Sequence, residues 1–366
     1  MTRIVTYAYG SIFLVTSLLS WAARDFGYTT LKAMKWLRGC NGEEVCLGAQ
    51  GALRVSLGCF IFYFIMFVST AGASTRTGHR EEFHSGCWFL KIPMMVVLIV
   101  VSFLLPINMI YIYGLIAHFG AGIFLIFQLV SIITFIQMVN DWCYSDTSSD
   151  KRCIIGGILA VGSNLLACGS IIFLFIWYAE RTSCKPNYIF TGVTLALFGL
   201  MSGATHRSKA NATYLNSGFM GVYITFLCWS AIKSEPHGGR CMERGGTDTP
   251  PKVHLLTVVS FVIGFGAMIF ATFSTGVDSK SFQFKIKEHR DDNVPYGYGF
   301  FHLVFATASM YSAMLLVNWN TKNPTKFMID VGWASTWIKF IYELFAAFIY
   351  IFILTRKNDE VTKMTG

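Results

Sequence analysis

Apolar runs long enough to cross a bilayer recur along almost the whole chain and limit what it can fold into. A run of about 17 to 25 mostly apolar residues spans the roughly 30 Å hydrocarbon core as one helix. Such runs, bounded by charged residues, predict ten transmembrane helices near residues 4–23, 51–71, 86–106, 109–139, 153–178, 188–205, 217–233, 253–275, 296–319 and 335–355. We therefore expect an all-α polytopic membrane protein.

The composition leaves no room for a second, soluble domain. Of the 366 residues, 54% are hydrophobic and 13% are charged, whereas roughly a quarter are charged in soluble domains. We expect residues 1–366 to form a single integral membrane domain. The net charge of +9 is spread over short loops, which favours anionic lipid headgroups over nucleic acid as counter-charges.

Ten spans would place both termini on the same side of the membrane. Of the 29 lysines and arginines, 15 fall on that side and 13 on the other, with Lys339 set aside inside a span. This small excess favours cytosolic termini, in an endomembrane or the plasma membrane. The sequon at Asn211 then faces the cytosol, and we expect it to carry no sugar.

Four cysteines lie in loops on the side opposite the termini: Cys40, Cys46, Cys184 and Cys241. In an oxidising lumen they are disulfide candidates. Unpaired thiols near the interface are the alternative, and the sequence does not choose among the three possible pairings.

Two opposite charges lie inside the last span. Glu343 is nine residues into it, too deep for a carboxylate to reach the headgroups, and an ionised acid there costs about 2.5 to 3.5 kcal/mol. It must be protonated, paired or hydrated. Lys339, one turn earlier on the same face, is the expected partner, although such a pair contributes only a few tenths of a kcal/mol. The surroundings are either a buried network between helices or a hydrated groove.

Other polar residues lie inside spans at different depths. Arg54 and Lys91 are three to six residues from a span end, where a long side chain can reach the headgroups. His118 and Asn164 are expected to form hydrogen bonds between helices. Gln128 and His302 complete the set.

Two features concern helix packing. The span near 188–205 carries small residues on one face, which predicts close approach of another helix; they are Gly192, Ala196, Gly199 and Gly203. Residues 109–142 contain no proline, and as one helix they would extend roughly 50 Å. A break near residue 120, where Gly114, Gly120 and Gly122 cluster, is the alternative.

Motifs for catalysis are absent from the sequence. No histidine, cysteine and carboxylate cluster has the spacing of a zinc site, and no phosphate-binding loop or G-x-S-x-G turn occurs. We therefore expect no catalytic residue, metal or cofactor, and a protein that is not an enzyme.

Several segments together resemble the serine incorporator (Serinc, TMS/TDE) family of multi-pass membrane proteins. Residues 296–319, YGYGFFHLVFATASMYSAMLLVNW, are similar to its FFH…Y…NW helix, and residues 333–339, WASTWIK, to its W-x-x-x-W-[VI]-K signature. WSAIKSEP at 229–236, SGCWFLK at 85–91 and LRVS at 53–56 follow the same pattern. The chain lacks the family's cysteine-rich N-terminal segment and its C-terminal Ala-Pro signature, so it resembles a shortened or divergent member.

This resemblance implies a fold and a set of functions. The fold would be two helical bundles crossed by a long diagonal helix, matching residues 109–142, with lipid in grooves between the bundles. One implied function is non-energised phospholipid scrambling, and an older one is assistance in incorporating serine into phosphatidylserine and sphingolipids. A lipid-binding, oligomeric structural protein without transport is a third hypothesis. The partners would be phospholipids, sphingolipids, further copies of the chain and lipid-synthesis enzymes.

The scrambling hypothesis assigns roles to the polar residues. We expect Lys339, Arg54 and Lys91 to attract lipid phosphate, while Glu343 and Gln128 keep the groove wet. Weaker candidates for the groove are Glu235, His302 and Trp337. The charged segment 278–293 is where a protein partner would bind.

Overall fold

The structure is a computed structural model, and its described part is all-helical, without a strand. The residues it describes are 2–34, 40, 44–71, 83–144, 150–178, 185–208, 214–236, 266, 272, 297–320 and 329–365. The predicted span near 253–275 lies outside them, apart from residues 266 and 272. So do the sequon at Asn211, the segment 278–293, Cys184 and Cys241.

Helices occupy the other nine predicted spans. Their bounds, with one short helix added, are α1 Thr2–Asp25, α2 Tyr28–Ala33, α3 Glu44–Thr70, α4 Trp88–Leu104, α5 Ile107–Tyr144, α6 Asp150–Tyr178, α7 Lys185–Arg207, α8 Tyr214–Lys233, α9 Tyr298–Leu316 and α10 Trp333–Thr365. Eight of these are long and apolar enough to cross a membrane, and α4 is a shorter apolar helix. The all-helical membrane architecture is thus confirmed, while the count of ten spans stays a prediction.

The boundary between α4 and α5 follows from a proline. Pro106 disfavours helical geometry in the residue before it, and Leu105 is extended, with φ −69° and ψ 144°. At the other end of α4, Cys87 has a left-handed φ of 58°, an uncommon conformation for a residue with a side chain. These two residues fix where α4 begins and ends.

The long helix predicted near residues 109–142 is present as α5, which has 38 residues. At about 1.5 Å per residue it is roughly 57 Å long, well beyond the hydrocarbon thickness. The alternative break near residue 120 does not occur. A Cβ on Gly120 would lie 1.9 Å from the Met310 sulfur, so the glycine makes room for a close contact with α9. The diagonal arrangement of α5 remains a prediction.

The chain divides into two compact units, and α5 contributes to both. Unit 1 comprises Met1–Ser131 with Pro250–Asp330. In it α3 packs against α1, α4 and α9 around a core rich in aromatic rings, including Phe13, Tyr63 and Phe305. At the end of α1, Arg24 forms an ion pair with Asp25 at 2.7 Å and donates to the backbone carbonyl of Leu316, the last residue of α9.

Unit 2 comprises Ile132–Thr249 with Val331–Gly366, and in it α8 packs against α6, α7 and α10. Close approach depends on glycine in α8, because a Cβ on Gly218 would lie 2.2 Å from the Ser163 hydroxyl oxygen. A Cβ on Gly221 would lie 2.4 Å from the Phe198 ring.

The predicted packing face of α7 has no close neighbour among the described residues. No described atom lies within 4 Å of a Cβ built on Gly192, Gly199 or Gly203. Among the described residues, the close helix approach predicted at this face is therefore not found. The close approaches in unit 2 are at Gly218 and Gly221 of α8 instead.

Candidate functional site

A set of buried polar side chains runs along the interior of unit 2 between α7, α8 and α10. We call it the polar column; its members are the buried Asn187, Thr191, Thr194, Thr205, Ser234, Glu235, Tyr342, Glu343 and Tyr350 and the half-buried Tyr223, Ser230 and Lys339. From Asn187 to Thr205 the α7 members extend along about 27 Å of helix. This is close to the roughly 30 Å thickness of the hydrocarbon core.

Glu343 lies in the middle of the polar column and is 0% exposed. Its Oε1 accepts a hydrogen bond from the Thr194 hydroxyl at 2.6 Å. That hydroxyl also donates to the Phe190 carbonyl at 2.9 Å, so a single proton serves two acceptors. The other carboxyl oxygen, Oε2, has no hydrogen-bond partner in the described structure. The carboxyl group is therefore short of donors.

Lys339 does not pair with Glu343 as the sequence suggested. Its ammonium group donates to the Ser234 hydroxyl at 2.6 Å and to the Ser230 carbonyl at 3.3 Å. Ser230 is in the last turn of α8 and Ser234 directly follows the helix, where the negative end of the helix dipole favours a cation. The i, i+4 spacing made a pair possible, but the α8 terminus is the stronger acceptor.

Glu235 follows the end of α8 and lies outside the spans. Its side chain is buried, and burial raises the pKa of the carboxyl group above its ordinary value, while a hydrogen bond from Asn187 partly opposes this shift. The preceding carbonyl, that of Ser234, accepts from the Gly332 backbone N–H at 2.7 Å. This bond connects the end of α8 to the start of α10 and positions Lys339.

The remaining members of the polar column are tyrosine and threonine hydroxyls. Tyr223 donates to the Tyr342 hydroxyl at 3.0 Å, and the hydroxyls of Thr205 and Tyr350 are 3.0 Å apart. These groups carry no charge, yet each offers both a donor and an acceptor at membrane depth.

Trp337 lies at the outer edge of the same unit. It is 49% exposed, and its ring packs edge-on against Phe190 at 5.4 Å and Phe340 at 6.0 Å. Phe190 and Phe340 are 4.5 Å apart, so the three aromatic rings form one cluster between α7 and the start of α10. A tryptophan at a helix end suits the headgroup layer.

Arg54 lies in unit 1 and does not extend toward the headgroups. It is 0% exposed, and its Nη1 donates to the backbone carbonyls of Ser102 and Leu105, each at 2.7 Å. In return the Ser102 hydroxyl donates to the Arg54 carbonyl at 2.7 Å. The side chain thus binds the C-terminal end of α4, which corrects the expectation that it reaches the interface.

Lys91 is also fully buried in unit 1 rather than extended to the interface. Its ammonium group donates to the carbonyls of Phe83, His84 at 3.0 Å and Gly86 at 2.6 Å. It also lies 4.8 Å from the Trp88 ring centroid. Three carbonyl acceptors use all three ammonium protons, so Lys91 anchors the turn that precedes α4.

The remaining candidates also belong to unit 1. His302 Nε2 lies 3.0 Å from His84 Nδ1, and Tyr298 stacks on His84 at 4.1 Å. Burial and the nearby Lys91 cation lower the pKa of His84 to about 3, so this ring is neutral at physiological pH. Gln128 is half-buried on α5.

The eight groove candidates therefore fall into two sets. Lys339, Glu343, Glu235 and Trp337 lie in unit 2, whereas Arg54, Lys91, His302 and Gln128 lie in unit 1. The partners Thr194, Ser234 and Asn187 were not predicted from the sequence. One signal was available, since Asn187, Thr191 and Thr194 follow the i, i+4, i+7 spacing of one helix face.

Two of the four disulfide candidates are paired in the structure. Cys40, between α2 and α3, forms a disulfide with Cys46 in the first turn of α3. No group of three or more histidine, cysteine, aspartate or glutamate side chains suited to a metal ion occurs among the described residues.

Comparisons with known proteins give a consistent result. The family model described as Serine incorporator (Serinc) matches residues 1–290 and 283–356. A probable serine incorporator of Dictyostelium discoideum is 26% identical, covering 88% of this chain and 82% of its own length. A membrane protein of Schizosaccharomyces pombe is 24% identical over 91% and 84%, and human serine incorporator 5 is 22% identical over 77% and 80%.

Proposed function

This chain belongs to the serine incorporator family, and we propose that it is a non-energised phospholipid scramblase whose headgroup path is the polar column of unit 2. It is an integral membrane protein, and the proposal includes cytosolic termini in an endomembrane or the plasma membrane. Scrambling needs no nucleotide or metal. It needs a polar path across the hydrocarbon core while the acyl chains stay in lipid.

The Glu343 carboxyl group is the observation that carries this proposal. A carboxyl oxygen without a hydrogen-bond donor at mid-membrane is costly, and a purely structural network would be expected to satisfy it. A passing headgroup ammonium or a water molecule supplies the missing donor. Lys339, half-buried one turn away, supplies a cation for the phosphate.

Glu343 is fully buried in this structure, so a headgroup must reach it by a conformational change. Phe190 on α7 packs against Trp337 and Phe340 near the start of α10. We expect α7 and α10 to separate there, which exposes Lys339 first and Glu343 next.

Reconstitution into liposomes with a fluorescent phospholipid, followed by dithionite quenching, tests the proposal. Glu343→Leu should slow scrambling about tenfold, because losing one polar partner in the core costs on the order of 1 to 3 kcal/mol. Glu343→Gln keeps a polar group at this position and should stay near the wild-type rate. Phe348→Leu, on the exposed face of α10, is the matched control.

Folding must be measured in parallel, by size-exclusion chromatography and thermal unfolding of each variant. Equal scrambling by the Glu343→Leu variant and the wild type would contradict the assignment of the path. Quenching by the wild-type protein no greater than in protein-free liposomes would contradict scrambling altogether.

The names of the relatives, which are called serine incorporators, favour a second candidate, an accessory role in incorporating serine into phosphatidylserine and sphingolipids. It predicts that added protein raises serine incorporation only when the lipid-synthesis enzyme is present. An increase without that enzyme, or no increase with it, would exclude this role.

The open glycine face of α7 favours a third candidate, a lipid-binding oligomer without transport. Gly192, Gly199 and Gly203 leave space for a helix of a second copy. Here the double variant Lys339→Ala, Glu343→Ala would alter stability and leave lipid distribution unchanged.

A further inference from the structure

The guanidinium group of Arg54 uses only one side of its hydrogen-bonding capacity in the described structure. Its Nη1 donates to the backbone carbonyls of Ser102, Phe103 and Leu105 at 2.7, 3.3 and 2.7 Å. The atoms on the opposite edge, Nε and Nη2, are buried and have no hydrogen-bond partner among the described residues. Three of the five N–H donors of an arginine belong to these two atoms. Most of the donors of this cation are therefore available to a ligand.

Arg24, in the same unit, shows what this edge of a guanidinium group binds. Its Nε donates to Oδ1 of Asp25 and its Nη2 donates to Oδ2, each at 2.7 Å. Two parallel bonds of this kind are the strong, geometrically specific way in which an arginine binds an anion. No described carboxylate forms an ion pair with Arg54. Its free edge thus lacks the negative partner that Asp25 provides for Arg24.

The burial of Arg54 makes a negative partner more favourable than water. The residue is 0% exposed, and a buried cation without a partner is strongly destabilising. The carbonyls bound to Nη1 carry only partial charges. Water could accept the remaining N–H bonds but would leave the positive charge uncompensated, whereas an anion does both.

The surroundings of Arg54 also favour an anion. Leu105, whose carbonyl accepts from Nη1, lies two residues before the start of the 38-residue helix α5. The first N–H groups of a helix lack partners within it, and the positive end of the dipole attracts negative charge. Gln50, one turn before Arg54 on α3, is buried, and its Oε1 has no partner among the described residues. Turning this amide over presents its NH₂ group to an anion.

We propose that Arg54 binds a small inorganic anion, such as chloride, next to the Gln50 amide and the N-terminus of α5. Nε and Nη2 hold the anion while Nη1 stays bound to the end of α4, so the ion connects α3, α4 and α5. The complete burial of Arg54 favours a free ion, because the phosphate of a lipid brings its glycerol backbone and acyl chains with it. This site is structural and does not rest on the proposed scrambling function.

Thermal unfolding and binding of radiolabelled chloride test the proposal on the full chain in nonionic detergent. Gluconate replaces chloride at constant ionic strength. Above the dissociation constant, each tenfold increase in chloride should raise the unfolding midpoint by roughly 3 °C. Binding of the radiolabelled ion should saturate at one chloride per chain.

Gln50→Glu supplies the missing negative charge from the chain itself. It places a carboxylate one turn before Arg54, which is the favourable order for an ion pair on a helix. This variant should bind no chloride, and without chloride it should unfold at least at the midpoint of the chloride-saturated wild type. A variant that merely failed to fold would not gain stability in this way.

Two further variants separate loss of the anion from loss of stability. Arg54→Lys keeps a cation for the α4 carbonyls but lacks the second edge of the guanidinium group, so it should not bind chloride. Ser56→Ala is the matched control, because Ser56 is buried on the same helix and its hydroxyl lies 2.7 Å from that of Tyr113 on α5. It should lose stability and keep the dependence on chloride.

The outcomes that contradict the site are distinct from those that contradict scrambling. A wild-type protein that binds no chloride, or whose unfolding midpoint does not depend on it, would overturn the site. Wild-type chloride binding by Arg54→Lys and Gln50→Glu would indicate an adventitious ion only and would also overturn it. Competitive displacement of chloride by phosphatidylserine would overturn the assignment to a free ion. A protein that binds chloride but does not scramble refutes the function proposed above and leaves the anion site intact.

Discussion

Replacing Lys91 by methionine separates an anchoring role from a role in attracting lipid phosphate. The ammonium group is fully buried and donates to three carbonyls, those of Phe83, His84 and Gly86. Each bond to a charged donor contributes about 1.5 to 3 kcal/mol, so three contribute roughly 4.5 to 9 kcal/mol. Removing an ammonium group from water opposes this by several kcal/mol.

The net effect of Lys91→Met is therefore a loss of about 3 kcal/mol in the free energy of unfolding. Methionine keeps much of the side-chain volume, so the loss reflects the three unpaired carbonyls and the missing contact with the Trp88 ring, which is 4.8 Å from the ammonium group. Lys91→Arg should recover only part of it, because a planar guanidinium group does not match the same three acceptors.

Tryptophan fluorescence during denaturant unfolding in detergent measures the stability, and dithionite quenching of reconstituted protein measures scrambling. We expect Lys91→Met to lower the unfolding midpoint, while the folded fraction scrambles at the wild-type rate. Lys185→Gln, an exposed charge on α7, is the control. Unchanged stability together with slower scrambling would refute the anchoring argument and favour phosphate attraction by Lys91.

Three further predictions concern stability. Gly218→Val should lower the free energy of unfolding by about 1 to 3 kcal/mol through overpacking, because the new Cβ would lie 2.2 Å from the Ser163 hydroxyl oxygen. Gly199→Val, whose Cβ would lie in open space, should be close to neutral in the same unfolding assay. Between pH 6.5 and about 3 the free energy of unfolding should fall as the pH falls, because the pKa of His84 is lowered to about 3 from its ordinary 6.5 and the unfolded chain binds the proton first. The slope is at most about 1.4 kcal/mol per pH unit. The His84→Gln variant should show a smaller slope. Cys46→Ser removes the bond to Cys40 and should lower the thermal unfolding midpoint under non-reducing conditions, with no further loss when reductant is added.

Much of the fold follows from the length and hydropathy of the apolar runs. Helix α5 illustrates this, because an uninterrupted apolar segment without proline predicted one long helix, and the structure has it. The interhelical role of Asn164 also followed from its type and depth, since it donates to the carbonyl of Tyr214 on α8.

The partners of the buried charges did not follow from the sequence. Spacing along one helix placed Lys339 next to Glu343, but the competing acceptors belong to α8 and become neighbours only in the folded bundle. For Arg54, depth alone suggested that the side chain reaches the headgroups. The carbonyls at the end of α4 are closer, and they are left unpaired by the proline that ends that helix.

The hydrogen bonds of Lys91 and Glu343 separate a structural from a functional candidate more sharply than their depth in the membrane does. Lys91 meets three acceptors with three protons, so no capacity remains for a lipid phosphate. Glu343 shares one donor with a backbone carbonyl and has one oxygen without any partner in the described structure. A fully bonded charge stabilises the fold, whereas an incompletely bonded one costs stability unless a ligand completes it. By this criterion Glu343 is the stronger candidate for contact with a lipid headgroup, and Lys91 belongs to the framework of unit 1.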